Sequence, residues 1–165
     1  MAPKISVAQV KELRELAGAS VIDCREALIQ SEGNIAKAFD YLRKRGKEKA
    51  QKKSNRETRE GVIASYIHSN KKIGALIELR CETDFVAKNS EFQELAYDIA
   101  MHVAAMSPKY LAIADAPEEE KSEEICLLSQ AFIKDPNLTV ADLIQEKISK
   151  IGENILIERF ARFEI

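Results

Sequence analysis

The sequence predicts an α+β fold: a small three-helix module, a basic linker, and a core in which a small antiparallel sheet of about three strands packs with helices. Three observations lead there. Residues 1–46 carry three apolar patterns at helical spacing, punctuated by Gly18, Gly33 and Gly46. Residues 61–81 change to an alternating pattern on either side of Asn70-Lys71-Lys72. Helical spacing returns from Ser90 and yields to ILIERFARFEI, residues 155–165, which reads as a closing strand.

Taken in order, Ser6-x-x-Gln9 is a capping box in which two side chains satisfy the free N–H groups of a helix start. Val7, Val10, Leu13 and Leu16 make the stripe behind it, and Gly18 stops the helix. Ser20 caps a second helix carrying Val21, Ile22, Ala27 and Leu28, ending at Gly33. Asn34 caps a third with Ile35, Ala38, Phe39 and Leu42, closed by Gly46. These three form a docking module over 1–46. Residues 47–60 lack apolar periodicity but are good helix formers, so they read as a solvated linker helix or a mobile strap. The core, 61–165, opens with a hairpin whose second strand turns Ala75, Ile77, Leu79 and Cys81 to one face. Ser90-x-x-Gln93 reads as another capping box, ahead of Phe92, Leu95, Ala96, Ile99, Ala100 and Val103. Pro117 with Glu118-Glu119-Glu120 reads as the start of a helix carrying Ile125, Leu128 and Phe132, broken at Asp135-Pro136-Asn137. Thr139 caps the last helix, with Val140, Leu143, Ile144 and Ile151 inward and Gly152 as its stop.

Charge is unevenly spread. The net charge of the 165 residues is −2, yet 43–60 hold nine Lys/Arg against three Glu, and the core is acidic. A basic segment of this kind suits a phosphate backbone, but it has no aromatic on which a base could stack. It reads as a connector, and no direct nucleic-acid partner is expected. Charged residues interrupt every apolar run well short of a membrane span, and the start lacks a signal-peptide core; cytoplasm is the expected location. Cys24, Cys81 and Cys126 are odd in number and far apart, as suits buried reduced thiols rather than disulfides. His68 and His102 are isolated, so neither a metal nor another cofactor is expected. Without GxSxG, P-loop, HExxH or GxGxxG, an enzyme is disfavoured.

The least ordinary stretch is RCETDFVAKN, residues 80–89. Thr83 suits an N-cap and Asp84 the first turn, where its carboxylate meets the positive end of the helix dipole. Val86 can pack inward and Asn89 ends the segment after little more than a turn. That leaves Phe85 free to be held outward, as interface anchors are. Core packing is the competing reading of Phe85.

These residues resemble those of bacterial elongation factor Ts, the nucleotide-exchange factors of elongation factor Tu. TDFVAKN (83–89) is similar to the family signature, LRELAGASVIDCREAL (13–28) to its amino-terminal block, and KIGENILIERF (150–160) to a third. Arg80 stands where the family commonly has Asn, and the chain resembles the short members, which have a single core half. The resemblance implies an amino-terminal module like ubiquitin-associated domains that docks on the GTPase domain through Arg14, Val21, Ile22 and Arg25. It further implies a tip, Thr83, Asp84, Phe85, Val86, Ala87, Lys88 and Asn89, that pushes in beside the magnesium and phosphate site. Phe85 would wedge between helices, and Asp84 would disturb the groups around the magnesium. It implies no substrate chemistry and no cofactor.

The single core half also leads to the expectation of a homodimer through the core domain. Counted by twos, Leu156 and Phe160 share one face of the closing strand while Ile155, Ile157, Phe163 and Ile165 share the other, so the strand needs cover on both sides. The alternative reading from another class is a non-catalytic scaffold, with a helical docking module tethered to an α+β dimerisation domain.

Overall fold

The computed structural model describes residues 5–165, which divide into two compact units at Lys52/Lys53. The first holds three helices, α1 (Val7–Ala17), α2 (Val21–Gln30) and α3 (Ile35–Lys53). Ser6 and Gln9 form the reciprocal cap at the start of α1: Gln9 N donates to Ser6 Oγ at 3.2 Å and Ser6 N to Gln9 Oε1 at 3.0 Å. Gly18, at φ 62°, ends it by donating to Arg14 O. Leu13, Cys24, Ala27, Leu28 and Ala38 are the buried centre, with Val10, Phe39 and Leu42 packed around them.

Two features of this unit differ from the sequence reading. Val7 and Leu16 are exposed, so the stripe on α1 narrows to Val10 and Leu13, the two that join the cluster shared with α2 and α3. The third helix also runs through Gly46 to Lys53. A glycine inside a helix costs only about 1 kcal/mol relative to alanine, and the Lys, Glu, Ala and Gln residues that follow favour the helix enough to carry it on.

In the second unit β1 (Glu60–Ile67) and β2 (Ile73–Cys81) form the antiparallel hairpin, and β5 (Leu156–Glu164) pairs on the far side of β2, giving the order β1-β2-β5. Helix α5 (Ser90–Met106) packs on one face of this sheet, burying Ala75, Ile77, Leu79 and Cys81 against Phe92, Leu95, Ala96 and Ile99. A short hairpin, β3 (Ala131–Phe132) with β4 (Asp135–Thr139), and helix α6 (Val140–Ile151) complete the unit. Asn89, rather than Ser90, caps α5: its Oδ1 accepts from Glu91 N at 2.8 Å. Gln93 reaches back to Ala87 O instead of closing a box. Thr139 caps α6 in a full box with Asp142, and Ile148 joins Val140 and Ile144 as its buried residues, whereas Leu143 and Ile151 are only half-buried.

The helix expected after Pro117 does not form. Residues 113–129 make four single 3₁₀ turns instead. Five glutamates within 118–124 place like charges three to four residues apart on any helix built there, which disfavours it. A single parallel bridge pairs Tyr110 with Cys126 across the segment, and Phe132 enters β3. Asp135-Pro136-Asn137 lies within β4 rather than at a helix break.

The closing strand also departs from simple alternation. Its register shifts between Glu78 and Leu79, so Phe160 pairs with Ile77, Arg159 with Glu78 and Ile157 with Leu79. Glu158 is the extra residue of a bulge, and it brings Ile157 and Phe160 to the same, helix-covered face. The opposite face carries Ile63, Ile67, Leu76 and Phe163, all exposed. At its other end Glu78 takes the Nε of Arg80 at 2.7 Å and of Arg159 at 2.8 Å, and those two guanidinium groups hold its carboxyl below the usual range.

Candidate functional site

Directly after β2 the chain makes a single helical turn, α4 (Asp84–Ala87). One turn has almost no stability of its own, so its ends carry it. Thr83 Oγ1 accepts from Val86 N at 3.4 Å, and Thr83 O accepts from Ala87 N at 3.2 Å. At the other end Lys88 N donates to Asp84 O and Asn89 N to Val86 O, at 3.1 and 2.9 Å. Asn89 thus closes α4 and caps α5 at once.

The seven residues 83–89 divide cleanly by direction. Val86 and Ala87 are buried, on the side that meets β1, β2 and α5. Phe85 is 79% exposed. It is not core, and a large aromatic stands in solvent on a turn hydrogen-bonded at both ends. Asp84 beside it is exposed and ion-paired to Lys88, Nζ to Oδ2 at 2.8 Å. That hydrogen bond holds the Asp84 carboxyl below its ordinary range and lifts the Lys88 ammonium. Asp84 therefore presents a charged carboxylate at neutral pH, with one neighbouring cation that a competing partner could displace.

The start of the turn is tied to a segment far away in sequence. Glu153, in the loop after α6, accepts from Glu82 N and Thr83 N through Oε2, both at 3.1 Å, and from the Thr83 hydroxyl through Oε1 at 2.6 Å. In return Glu82 Oε1 accepts from Asn154 N at 2.7 Å, with Arg56 3.6 Å from the same oxygen. Asn154, itself buried, donates through Nδ2 to Ser54 O and Arg56 O. Nothing local singles out Glu153: it is one glutamate among many, following a helix stop. Only the block 150–160 as a whole drew attention to it. Next to this clasp, burial pushes the Cys81 thiol up to about 11, with the Glu153 charge adding to the effect.

The other predicted residues belong to the first unit. Ile22 is 79% exposed, and Val21, Leu16, Arg14 and Arg25 are exposed with it. Leu16 lies in the last turn of α1, and Val21 and Ile22 in the first turn of α2. The turn at Gly18 therefore displays three apolar side chains with a guanidinium on the helix to either side. Leu16 was expected inside. Among the described residues no group of His, Cys, Asp and Glu could hold a metal ion, and no helix is long and apolar enough to cross a membrane.

The family model described as Elongation factor TS matches residues 8–124. The chain is 47% identical to the elongation factor Ts of Thermosipho melanesiensis, with 98% of each chain covered. It is 45% identical to that of Fervidobacterium nodosum, again with 98% of each chain covered. It is 45% identical to that of Methylacidiphilum infernorum, covering all of this chain and 97% of the relative. The Thermosipho alignment spans 193 residues against the 165 of this chain, so that relative has residues inside the matched span without a counterpart here.

Proposed function

The chain belongs to the elongation factor Ts family, and from that premise we propose that it is a cytoplasmic nucleotide-exchange factor that binds elongation factor Tu with GDP and hastens GDP release through α4. The observation that carries the proposal is Phe85, held in solvent on a turn capped at both ends. An aromatic with few rotamers to freeze is what an interface anchor needs. In this reading Phe85 wedges into the GTPase domain, and the Asp84 carboxylate competes for the groups that hold the nucleotide's magnesium. Magnesium and phosphate contacts supply much of a nucleotide's affinity, so loosening them speeds release. No bond is made or broken by this chain. The coupling is reciprocal: a factor that weakens GDP binding is itself bound more weakly while GDP is present. The patch of Leu16, Val21, Ile22, Arg14 and Arg25 serves as the docking surface of the ubiquitin-associated-like first module.

We further propose that the second unit pairs with a second copy. In support, one sheet face is covered by α5 while the other displays Ile63, Ile67, Leu76 and Phe163. Exposed apolar surface of this kind marks interfaces, and two-fold pairing is the commonest way to close it.

Stopped-flow release of fluorescent GDP from elongation factor Tu tests the exchange reading. The intact chain at micromolar concentration is expected to accelerate release. A rate unchanged from the spontaneous one, with elongation factor Tu of the same organism, would refute it.

A further inference from the structure

We infer that Glu153 is the positioning residue of the α4 tip, acting through Thr83, and that exchange depends on its carboxylate as well as on the tip itself. This rests on the reading of α4 as the working tip. Every polar atom of Thr83 is engaged. Its N–H and hydroxyl proton go to Glu153, its hydroxyl oxygen caps Val86 N, and its carbonyl accepts from Ala87 N and from the Cys81 thiol at 3.2 Å. Two of these bonds are internal to the turn and cannot orient it. The bond from Cys81 comes from the strand just before it. The bonds to Glu153 come from 70 residues away and set where the turn begins and which way Phe85 points.

The chemistry calls for a carboxylate. Three donors converge on the two oxygens of one side chain, and only an ionised carboxylate accepts on both sides while donating on neither. The short bond from the Thr83 hydroxyl is charge-assisted. A glutamine of the same size has to turn its NH₂ either toward the two backbone N–H groups or toward the hydroxyl that caps the helix. Thr83 is exposed and Glu82 and Glu153 are half-buried, whereas Ile77, Leu79, Phe92 and Ile99 are fully buried, so losing the Glu153 carboxylate frees the tip without dissolving the core.

The test uses the full chain with Glu153→Ala, Glu153→Gln and, alongside, Phe85→Ala, each titrated in GDP release from elongation factor Tu. Glu153→Ala is expected to lower the maximal release rate about tenfold, as misplacing a positioned group does. The concentration for half-maximal effect should stay within about twofold, because the first unit is untouched. Glu153→Gln should fall between Glu153→Ala and the natural chain. Amide hydrogen exchange at Glu82, Thr83 and Val86, whose N–H groups bond to Glu153 or to the Thr83 hydroxyl it holds, should quicken about tenfold or more in Glu153→Ala, while β2 keeps its protection. A maximal rate and tip protection like those of the natural chain overturn the inference. So does a loss of protection spread equally over β2, which would make Glu153 a general stabiliser. A slow Phe85→Ala beside a normal Glu153→Ala refutes the clasp alone. A Phe85→Ala that exchanges normally removes the reading of the tip, and this inference with it.

Discussion

Phe85 and Phe92 sit seven residues apart and face opposite fates. Phe92 is fully buried under the sheet, and Phe85 stands in solvent on α4. Phe92→Ala should therefore cost roughly 3–5 kcal/mol of stability, as buried Phe→Ala changes do. Phe85→Ala should leave the melting temperature nearly unchanged yet slow GDP release at least about tenfold, or about 1.4 kcal/mol of lost interaction with the partner. Thermal melts of both variants beside the release assay check the contrast. A Phe85→Ala protein that melts like Phe92→Ala would return Phe85 to the core. His102 makes a separate prediction. It is fully buried; its Nδ1 accepts from Ile133 N at 3.2 Å and its Nε2 faces Gln130 Oε1 at 3.0 Å. Gln130 donates through Nε2 to Met106 O and Glu124 O, so its oxygen is left to accept and the imidazole is neutral, with the proton on Nε2. A second ring proton would confront the Ile133 N–H, and burial already holds the pKa below 6.5. The unfolded chain takes up that proton near pH 6.5 while the folded one resists it. The His102 contribution is thus complete above about pH 6.5 and is lost progressively as pH falls below it. Urea midpoints between pH 7.5 and 5.5 should drop in the natural chain and drop less in His102→Gln.

At the scale of elements, the parts that read directly from the sequence were those whose signals are local. The hairpin follows from two alternating runs around Asn70-Lys71-Lys72, and α4 from a Thr cap, an acidic first turn and Asn89. What did not read are features set by neighbours distant in the chain. The bulge at Glu158 is a matter of register against β2 and turns over the faces assigned by counting in twos. The segment 113–129 has helical composition in part, but the Tyr110–Cys126 bridge and its own glutamates keep it in short turns. Gly46 looked like a stop and is passed over, whereas Gly18 and Gly152 do stop their helices, in left-handed conformation at φ 62° and 91°. Glycine identity alone does not distinguish these cases. Gly61 has a role that no turn rule reveals. A Cβ there would stand 2.3 Å from Leu79 O and 2.9 Å from Arg80 Cα, in the backbone of the partner strand. Gly61→Ala is expected to part β1 from β2 locally and to cost about 1–3 kcal/mol, as overpacking does. Denaturant unfolding gives the magnitude, and amide exchange along Glu60–Val62 gives the place; a change in neither would show that the strands yield freely.

For the whole molecule, the sheet face with Ile63 71% and Phe163 67% exposed leads to the expectation of a solution mass twice the 18.5 kDa of one chain. All three cysteines are buried and free, so reductant should not alter it. Leu76→Lys, which sets a charge in the middle of that face, should shift the mass toward one chain while leaving the melting profile at low concentration intact. Light scattering at tens of micromolar decides, and a single-chain mass for the natural protein would refute the pairing. The reach of the Glu153 clasp bears on how the chain comes together in time. A contact spanning 70 positions closes late, because the entropy of a large loop is lost before the contact gains anything. The β1–β2 hairpin can form as soon as it leaves the ribosome, but Thr83 lacks its one tie to a distant segment until residue 153 has emerged. In pulse-labelling during refolding, the Thr83 amide should gain protection together with β5 and after the hairpin. A nascent chain would then carry its strands early and set the direction of Phe85 only after residue 153 and β5 are in place.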